Sequence, residues 1–161
     1  MTRPLSILGL VISLAAVTIV AALGGFASAQ AAGCYRELVR PSWAPPGWLF
    51  GPVWTFLYVL MGVAAWRVWR SGPFAQTRRA LALHGVQLVL NALWSWIFFA
   101  WQEGLWAGIE IVVLWGCILA TVLAFRRHDA LAAWLMVPYL LWVSFATVLT
   151  WAMTYLNPLV L

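Results

Sequence analysis

The side chains best suited to binding a ligand are tryptophans that lie deep within apolar segments. The chain has 13 tryptophans among its 161 residues. Those near the ends of apolar runs fit a belt of amphipathic rings at a membrane surface. They are Trp48, Trp66, Trp69, Trp101, Trp106 and Trp134. The belt explains Trp54, Trp94, Trp115 and Trp142 less well, so these indoles are candidates for the walls of an aromatic pocket.

Few polar side chains accompany these rings. Glu110 is the only acidic residue within an apolar run, and an ionisable group there is costly enough to indicate function. The alternative is a carboxyl group that is protonated or hydrogen-bonded inside a helix bundle. Gln87, Asn91 and Ser95 recur every four residues and share one helix face. That face either joins helices or contacts a ligand, and it could also hold Glu110.

Other chemistries find little support in the residue pattern. No zinc or haem-attachment spacing occurs, and no nucleophile–base pair indicates hydrolysis, so no metal site is predicted. His84 is a lone histidine, either an ordinary interface residue or an axial haem ligand. Cys34 lies in a loop and Cys117 within an apolar run, so a disulfide between them is not expected.

The elements that must position these residues are membrane-spanning helices. Of the residues, 65% are hydrophobic and only 8% are charged, whereas soluble domains carry roughly 25% charged residues. Five apolar runs reach the roughly 20 residues of one crossing, at about 5–29, 49–69, 80–101, 105–125 and 130–155. Their short connections favour sequential antiparallel neighbours. The sequence therefore predicts an all-α integral membrane protein, a five-transmembrane-helix bundle forming one domain over 1–161 with an outer loop at 30–48.

The first apolar run has a second interpretation. Ala27-Ser28-Ala29 resembles the small-residue cleavage site of a secretory signal peptide. The run is longer than the usual core of roughly 7–15 residues in such peptides. We therefore expect it to be kept as the first helix.

Arginine placement predicts the orientation. With five crossings, one side holds Arg3, Arg67, Arg70, Arg78, Arg79, Arg126 and Arg127, and the other only Arg36 and Arg40. An excess of positive charge marks the cytoplasmic side, which puts the amino terminus in the cytoplasm and the first loop and carboxyl terminus outside. The net charge of +5 is thus ascribed to topology and lipid headgroups. No nucleic-acid partner is expected.

A helical rise of about 1.5 Å per residue gives the depth of each candidate. With helix two starting outside near residue 49, Trp54 and Tyr58 lie roughly 8 and 13 Å below the outer surface. On the same estimate, the region between that surface and mid-bilayer also holds Asn91, Trp94, Glu110 and Trp142. Aromatic walls with a few polar groups suit a flat, apolar, partly charged ligand.

The outer loop and several helix segments carry a family resemblance. Prolines at 41, 45, 46 and 52 stiffen the stretch RPSWAPPGWLFGPVWTFLY at 40–58, which we expect to cap the outer mouth. Further strings are GGF at 24–26, QLVLNALWSWIFF at 87–99, EIVVLW at 110–115 and PYLLWVSFAT at 138–147. In these strings the chain resembles the bacterial branch of the tryptophan-rich sensory protein and translocator protein family (TspO/MBR).

The resemblance implies a bundle, usually dimeric, that binds porphyrins such as protoporphyrin IX or haem, and other apolar ligands, under the first loop. By position the ligand contacts would be Trp54, Tyr58, Asn91, Trp94, Trp142 and Ala146, the loop lid Trp43, Pro45, Pro46 and Trp48, and a possible further polar contact Glu110. Cys34 departs from the tryptophan that many members have at this position, and Thr150 from an asparagine. No cofactor is required, and a bacterial cell membrane is the expected location.

Three functions follow as hypotheses. The favoured one is a receptor or sensor of tetrapyrroles. The alternatives are a transporter of such molecules and an enzyme that degrades porphyrin in light, in which Trp54 and Trp142 would exchange electrons with the ligand. Gly104, Gly108 and Gly116 form a small-residue face on helix four, which predicts the contact of a homodimer.

Overall fold

The computed structural model describes residues 3–30 and 37–161, with the side chains of 3–5 and 30 left out. Within these ranges, five helices are long and apolar enough to cross a membrane. They are α1 (Arg3–Gln30), α2 (Phe50–Arg70), α3 (Phe74–Ser95), α4 (Gly104–Arg126) and α5 (Ala130–Leu156). The described ranges contain no strand. The predicted class, an all-α membrane protein with five spanning helices, is confirmed.

The helices form a closed ring in the order α1, α2, α5, α4, α3. Consecutive helices alone would not give this order, because α1 also packs against α3 and α2 against α5. The centre is filled by apolar side chains such as Met61, Ile118, Phe125 and Met136, all fully buried. Residues from α2, α3 and α5 can therefore meet inside the ring.

The two ends of the bundle differ in charge. We call one the arginine end, because it carries Arg67, Arg70, Arg78, Arg79, Arg126 and Arg127. There Arg67 forms a 2.8 Å salt bridge with Asp129, and Asp129 also caps α5 by accepting a hydrogen bond from the amide of Ala132 at 2.9 Å. We call the opposite end the loop end, because residues 37–49 of the first loop lie there.

Helix α3 extends beyond its predicted bounds at the arginine end. It begins at Phe74 rather than at residue 80, where the apolar run starts. Pro73 stands just before the first turn, and its fixed φ suits a helix start. Hydropathy shows where an apolar run begins, whereas backbone hydrogen bonding decides where the helix begins. The more polar start of α3, residues 74–79, was therefore missed.

At the loop end, α3 continues into a π-helical turn, Trp96–Ala100. The amide of Trp101 donates to the carbonyl of Trp96 at 2.9 Å. Gln102 then takes a positive φ of 56°, a left-handed conformation that reverses the chain before α4. Such turns are frequent at functional sites, and this one positions the phenylalanines at 98 and 99.

The predicted aromatic belt holds for some tryptophans and not for others. Rings that are largely exposed on the outside of the bundle belong to Trp48, Trp101, Trp106 and Trp134. Trp66 is half-buried and donates from Nε1 to the carbonyl of Ser6 at 2.7 Å. The Trp69 ring lies so close to Gly9 that a Cβ there would be 2.1 Å from it. Trp66 and Trp69 thus join α1 to α2.

Candidate ligand-binding site

A hydrogen-bond chain links three of the helices at the centre of the candidate site. Tyr58 of α2 donates its hydroxyl to Oδ1 of Asn91 at 2.5 Å. Nδ2 of Asn91, on α3, donates to the hydroxyl of Tyr139, on α5, at 3.1 Å. The Trp54 ring packs on both tyrosines, with centroids 5.5 Å from Tyr58 and 6.1 Å from Tyr139. Tyr139 is fully buried and was missed by sequence reasoning, although it stands within the PYLLW string.

The two remaining predicted tryptophans face this chain from the loop end. Trp94 stacks on Phe98, with ring centroids 5.2 Å apart and planes 13° from parallel. Trp142 contacts Phe50 edge-on at 5.8 Å and Phe145 at 5.6 Å. The Nε1 atoms of Trp94 and Trp142 are buried and have no hydrogen-bond partner among the described residues. An unpartnered buried donor costs roughly 1–3 kcal/mol, so both indoles are suited to donate to a ligand.

The structure brings the six predicted ligand contacts together. Trp54, Tyr58, Trp94, Trp142 and Ala146 are half-buried and pack against one core, and Asn91 joins them through its bond to Tyr58. Ala146 lies one turn from Trp142, on the same face of α5. We call these six residues the aromatic cluster.

The predicted loop lid divides into two parts. Trp43 meets the Phe145 ring edge-on at 5.9 Å and keeps 47% of its surface accessible. Pro45 is half-buried. Pro46 and Trp48 are exposed, and Trp48 keeps 72% of its surface accessible. Trp43 thus reaches the aromatic cluster through Phe145, which contacts Trp142.

Asn157, just after α5, fastens this loop and was not predicted. Its Oδ1 accepts from the amide of Val39 at 2.8 Å, and its Nδ2 donates to the carbonyl of Val39 at 2.9 Å. The same Nδ2 also lies 2.8 Å from the carbonyl of Met153. A lone amide side chain at the end of an apolar helix was the available signal. Its partner, 118 positions away, could not be read from the sequence.

The polar face of α3 mainly joins helices. Gln87 is fully buried, and its Nε2 lies 3.2 Å from Nδ1 of His84 and 3.9 Å from the Met61 sulfur. Ser95 lies beside Gly24 of α1. The His84 ring packs near Phe125, at 5.6 Å between centroids.

Glu110 lines a second cleft beside the candidate site. Both of its carboxyl oxygens are buried and without hydrogen-bond partners among the described residues. It lines a separate cleft with Ile97, Trp101, Glu103, Trp106 and Ile109, none of which belongs to the aromatic cluster. Its role as a polar contact of a ligand in the aromatic cluster stays a prediction.

The glycine face predicted for a dimer is largely occupied within the chain. A Cβ on Gly104 would lie 2.6 Å from Oγ1 of Thr154, and one on Gly108 would lie 2.8 Å from the Trp151 ring. Both glycines therefore allow α4 to approach α5 within the chain, and their role in a contact between chains stays a prediction. No described residue lies within 4 Å of such an atom on Gly116.

Comparison with known proteins gives one consistent relationship. The TspO/MBR family profile matches residues 11–156. The tryptophan-rich protein TspO of Chlorobaculum tepidum is 44% identical over 134 residues, covering 83% of this chain and 85% of the relative. The translocator protein of Homo sapiens is 40% identical, covering 73% and 70%. The tryptophan-rich sensory protein of Cereibacter sphaeroides is 39% identical, covering 76% of each chain.

Proposed function

This chain belongs to the TspO/MBR family of membrane proteins, and from that starting point we propose that it is a membrane receptor or sensor that binds porphyrins. The ligand, such as protoporphyrin IX or haem, would lie between the aromatic cluster and the first loop. One relative is named a sensory protein. That name agrees with a binding role and gives no ligand.

The observation that carries the proposal is the pair of unpartnered indole donors. The Nε1 atoms of Trp94 and Trp142 have no hydrogen-bond partner in the part of the chain that the structure describes, and aromatic rings surround them. A porphyrin is flat and apolar, so it can stack on such rings, and its carboxylates can accept hydrogen bonds from both donors. Stacking contributes roughly 0.5–1.5 kcal/mol per aromatic pair beyond area burial. Ring faces and donors together match this class of ligand.

The test is a spectral titration of the purified protein with protoporphyrin IX and with haem. Removing two walls together, Trp54→Ala with Trp142→Ala, should weaken binding about tenfold or more, because 1.4 kcal/mol corresponds to a decade in affinity. Trp134→Ala is the matched control, since that ring is 70% exposed and lies in the first turns of α5, toward the arginine end. A folded double variant that binds porphyrin like the wild type would place the ligand elsewhere.

Transport is the second candidate, because polar side chains also lie toward the arginine end. Thr77, His84 and Gln87 are buried on α3, and each has one polar atom without a partner among the described residues. They extend the polar face of α3 beyond Asn91. Porphyrin flux into liposomes that falls to background in the Trp54, Trp142 double variant would support a transporter. Binding without flux would support a receptor.

Light-dependent porphyrin breakdown is a third candidate, favoured by three oxidisable rings in contact. The ring centroids of Tyr58 and Tyr139 lie 5.5 and 6.1 Å from that of Trp54. Trp54→Phe and Trp142→Phe keep most of the apolar volume but remove the indoles. Variants that bind porphyrin yet lose its breakdown under illumination would support this reaction, and unchanged breakdown would exclude it.

Orientation and assembly are parts of the same proposal. The arginine end would face the cytoplasm of a bacterial cell, which cysteine labelling in sealed vesicles can test at Arg78 and at Ser42. For a homodimer, one choice of interface is the face of α4 at Gly116. Gly116→Leu should then reduce crosslinking between copies. Unchanged crosslinking would remove this face from the interface.

A further inference from the structure

A second recess opens on the outside of the bundle at the loop end. It lies between the π-helical turn and the first turns of α4, has a volume of about 380 Å³, and is lined by Ile97, Trp101, Glu103, Trp106, Ile109 and Glu110. Four of these residues, Trp101, Glu103, Trp106 and Ile109, are exposed. The mouth of the cleft therefore faces the surroundings of the bundle and not the aromatic cluster.

The carboxyl group of Glu110 lies at the floor of this cleft. Glu110 keeps only 9% of its surface accessible, and neither of its oxygens has a partner among the described residues. A buried carboxylate is costly unless an opposite charge or hydrogen bonds accompany it. Glu103 adds a second carboxyl group at the rim. Six arginines lie at the arginine end, at the far side of the bundle.

A second cleft, between α4 and α5, provides a comparison. It measures about 330 Å³ and is lined by Val112, Trp115, Ser144 and Thr147. Trp115 donates to Oγ of Ser144 at 2.8 Å, and the Ser144 and Thr147 hydroxyls donate to carbonyls of their own helix. Its polar groups are satisfied. The cleft at Glu110 differs because its deepest polar group is not.

We propose that the cleft at Glu110 binds a lipophilic monocation, an ammonium ion carrying apolar groups. The cation would pair with the Glu110 carboxylate and lie against the indoles of Trp101 and Trp106, which attract cations through their ring faces. Ile97 and Ile109 would contact the apolar groups. The volume lies within the range of small-molecule sites, roughly 300–1,000 Å³.

Two sources could supply an ammonium group beside a membrane protein. One is a free amphiphilic amine, and the other is a zwitterionic lipid whose headgroup carries both ammonium and phosphate. The structure favours the free amine, because the Glu103 carboxylate at the rim would repel a phosphate. The ligand class is therefore a cation without a nearby anion.

The experiment uses phenylpropyltrimethylammonium and its neutral isostere, in which carbon replaces nitrogen, titrated calorimetrically into the full chain in a nonionic detergent. The cation should bind and the neutral isostere should bind at least about tenfold more weakly, because the charge pair forms in a medium of low dielectric. Equal binding of both probes would overturn the proposal. Lysophosphocholine should not displace the cation. Displacement would assign the cleft to a lipid headgroup instead.

Matched variants assign the binding to this cleft. Glu110→Gln keeps the shape and removes the charge, so cation binding should weaken about tenfold or more. Glu37→Gln, an exposed acid in the first loop, is the control with the same charge change and should bind as the wild type does. Cation binding unchanged in Glu110→Gln would overturn the proposal. Circular dichroism and gel filtration verify that each variant is folded.

A second pair of variants separates the cleft from the porphyrin site. Trp106→Leu should weaken cation binding several-fold through loss of the ring face, whereas Trp142→Leu should leave it unchanged. The reverse result would move the cation into the aromatic cluster and overturn the proposal. Porphyrin plays no part in this readout, so the cation site stands or falls independently of the proposed porphyrin receptor.

Discussion

The arginine end and the loop end of this bundle use similar residues in different ways. At the arginine end, polar side chains meet in the bridge between Arg67 and Asp129 and in the contact of Gln87 with His84. At the loop end, the indole Nε1 atoms of Trp94 and Trp142 have no partner among the described residues. Buried polar atoms without such partners also occur toward the arginine end, in Thr77, His84 and Gln87, so the ends differ in that those of the loop end include two aromatic donors.

If the proposed function holds, ligand binding and fold stability depend on different ends of the bundle. Tight apolar packing around fully buried residues such as Phe125 and Met136 anchors the bundle at the arginine end. The half-buried rings of the loop end are held by a loop and a π-helical turn instead. Changes at the arginine end should therefore alter stability and spare ligand binding, while changes at the loop end should do the opposite.

The largest expected effect comes from Phe125→Ala. The ring is fully buried, so its loss leaves a cavity, and such truncations cost about 3–5 kcal/mol. Denaturant unfolding followed by circular dichroism in mixed micelles measures the change. Phe56→Ala, where the ring is 57% exposed, should cost far less. If the folded fraction of Phe125→Ala loses porphyrin affinity, the division between the ends is wrong.

The next effect is expected from Trp94→Phe combined with Trp142→Phe. These changes keep aromatic rings and remove both indole donors, each worth about 0.5–1.5 kcal/mol when hydrogen-bonded. Porphyrin affinity should fall about tenfold, with the free energy of unfolding unchanged or raised because two buried orphan donors disappear. Fluorescence or absorbance titration reads the affinity. Retention of full affinity would show that the ligand does not accept from these donors.

A smaller effect is expected from Asn157→Ala, which releases the first loop from α5. The change removes the bonds to both backbone groups of Val39 and should cost about 1 kcal/mol. Hydrogen exchange at residues 38–44 should quicken, and porphyrin should dissociate several-fold faster. Pro158→Ala, at an exposed neighbour, is the control. Unchanged exchange would mean that other contacts hold the loop.

The smallest effect is expected from the salt bridge at the arginine end. Partial burial alone would raise the pKa of Asp129, but hydrogen bonds from the Ala132 amide and the Arg67 guanidinium, with the charge of Arg67, hold that pKa below its usual value of 3.8. The ionised carboxylate therefore stabilises the fold above about pH 4, and this contribution is lost as the pH falls through the lowered pKa.

Asp129→Asn isolates that charge, because asparagine also caps helices well. The variant should be less stable than the wild type by about 0.2–1 kcal/mol at neutral pH, and the gap should narrow as the pH falls below 3.8 and the Asp129 carboxylate is protonated. Thermal unfolding across this pH range measures it. A gap that persists in acid would assign the loss to the cap and not to the ion pair.

The sequence was sufficient to predict the spanning helices, because a bilayer imposes length and apolar character on each of them. The cluster of Trp54, Asn91 and Trp142 was found for a related reason, since depth and family resemblance point to the same residues. Contacts between helices were harder to predict from the sequence. The order of the helices in the ring decides the surroundings of Glu110 on α4. It also decides that Gly108 meets Trp151 within the chain. No local sequence pattern contains this order.

The clamp at Asn157 has a consequence for how the protein is made. The first loop leaves the ribosome early, yet the amide that fastens Val39 is 118 positions further on and follows α5. During synthesis the loop must therefore wait, unfastened, until all five helices have been inserted. A chain arrested before α5 would lack Asn157, so this clamp on the first loop forms only in the last step of biogenesis.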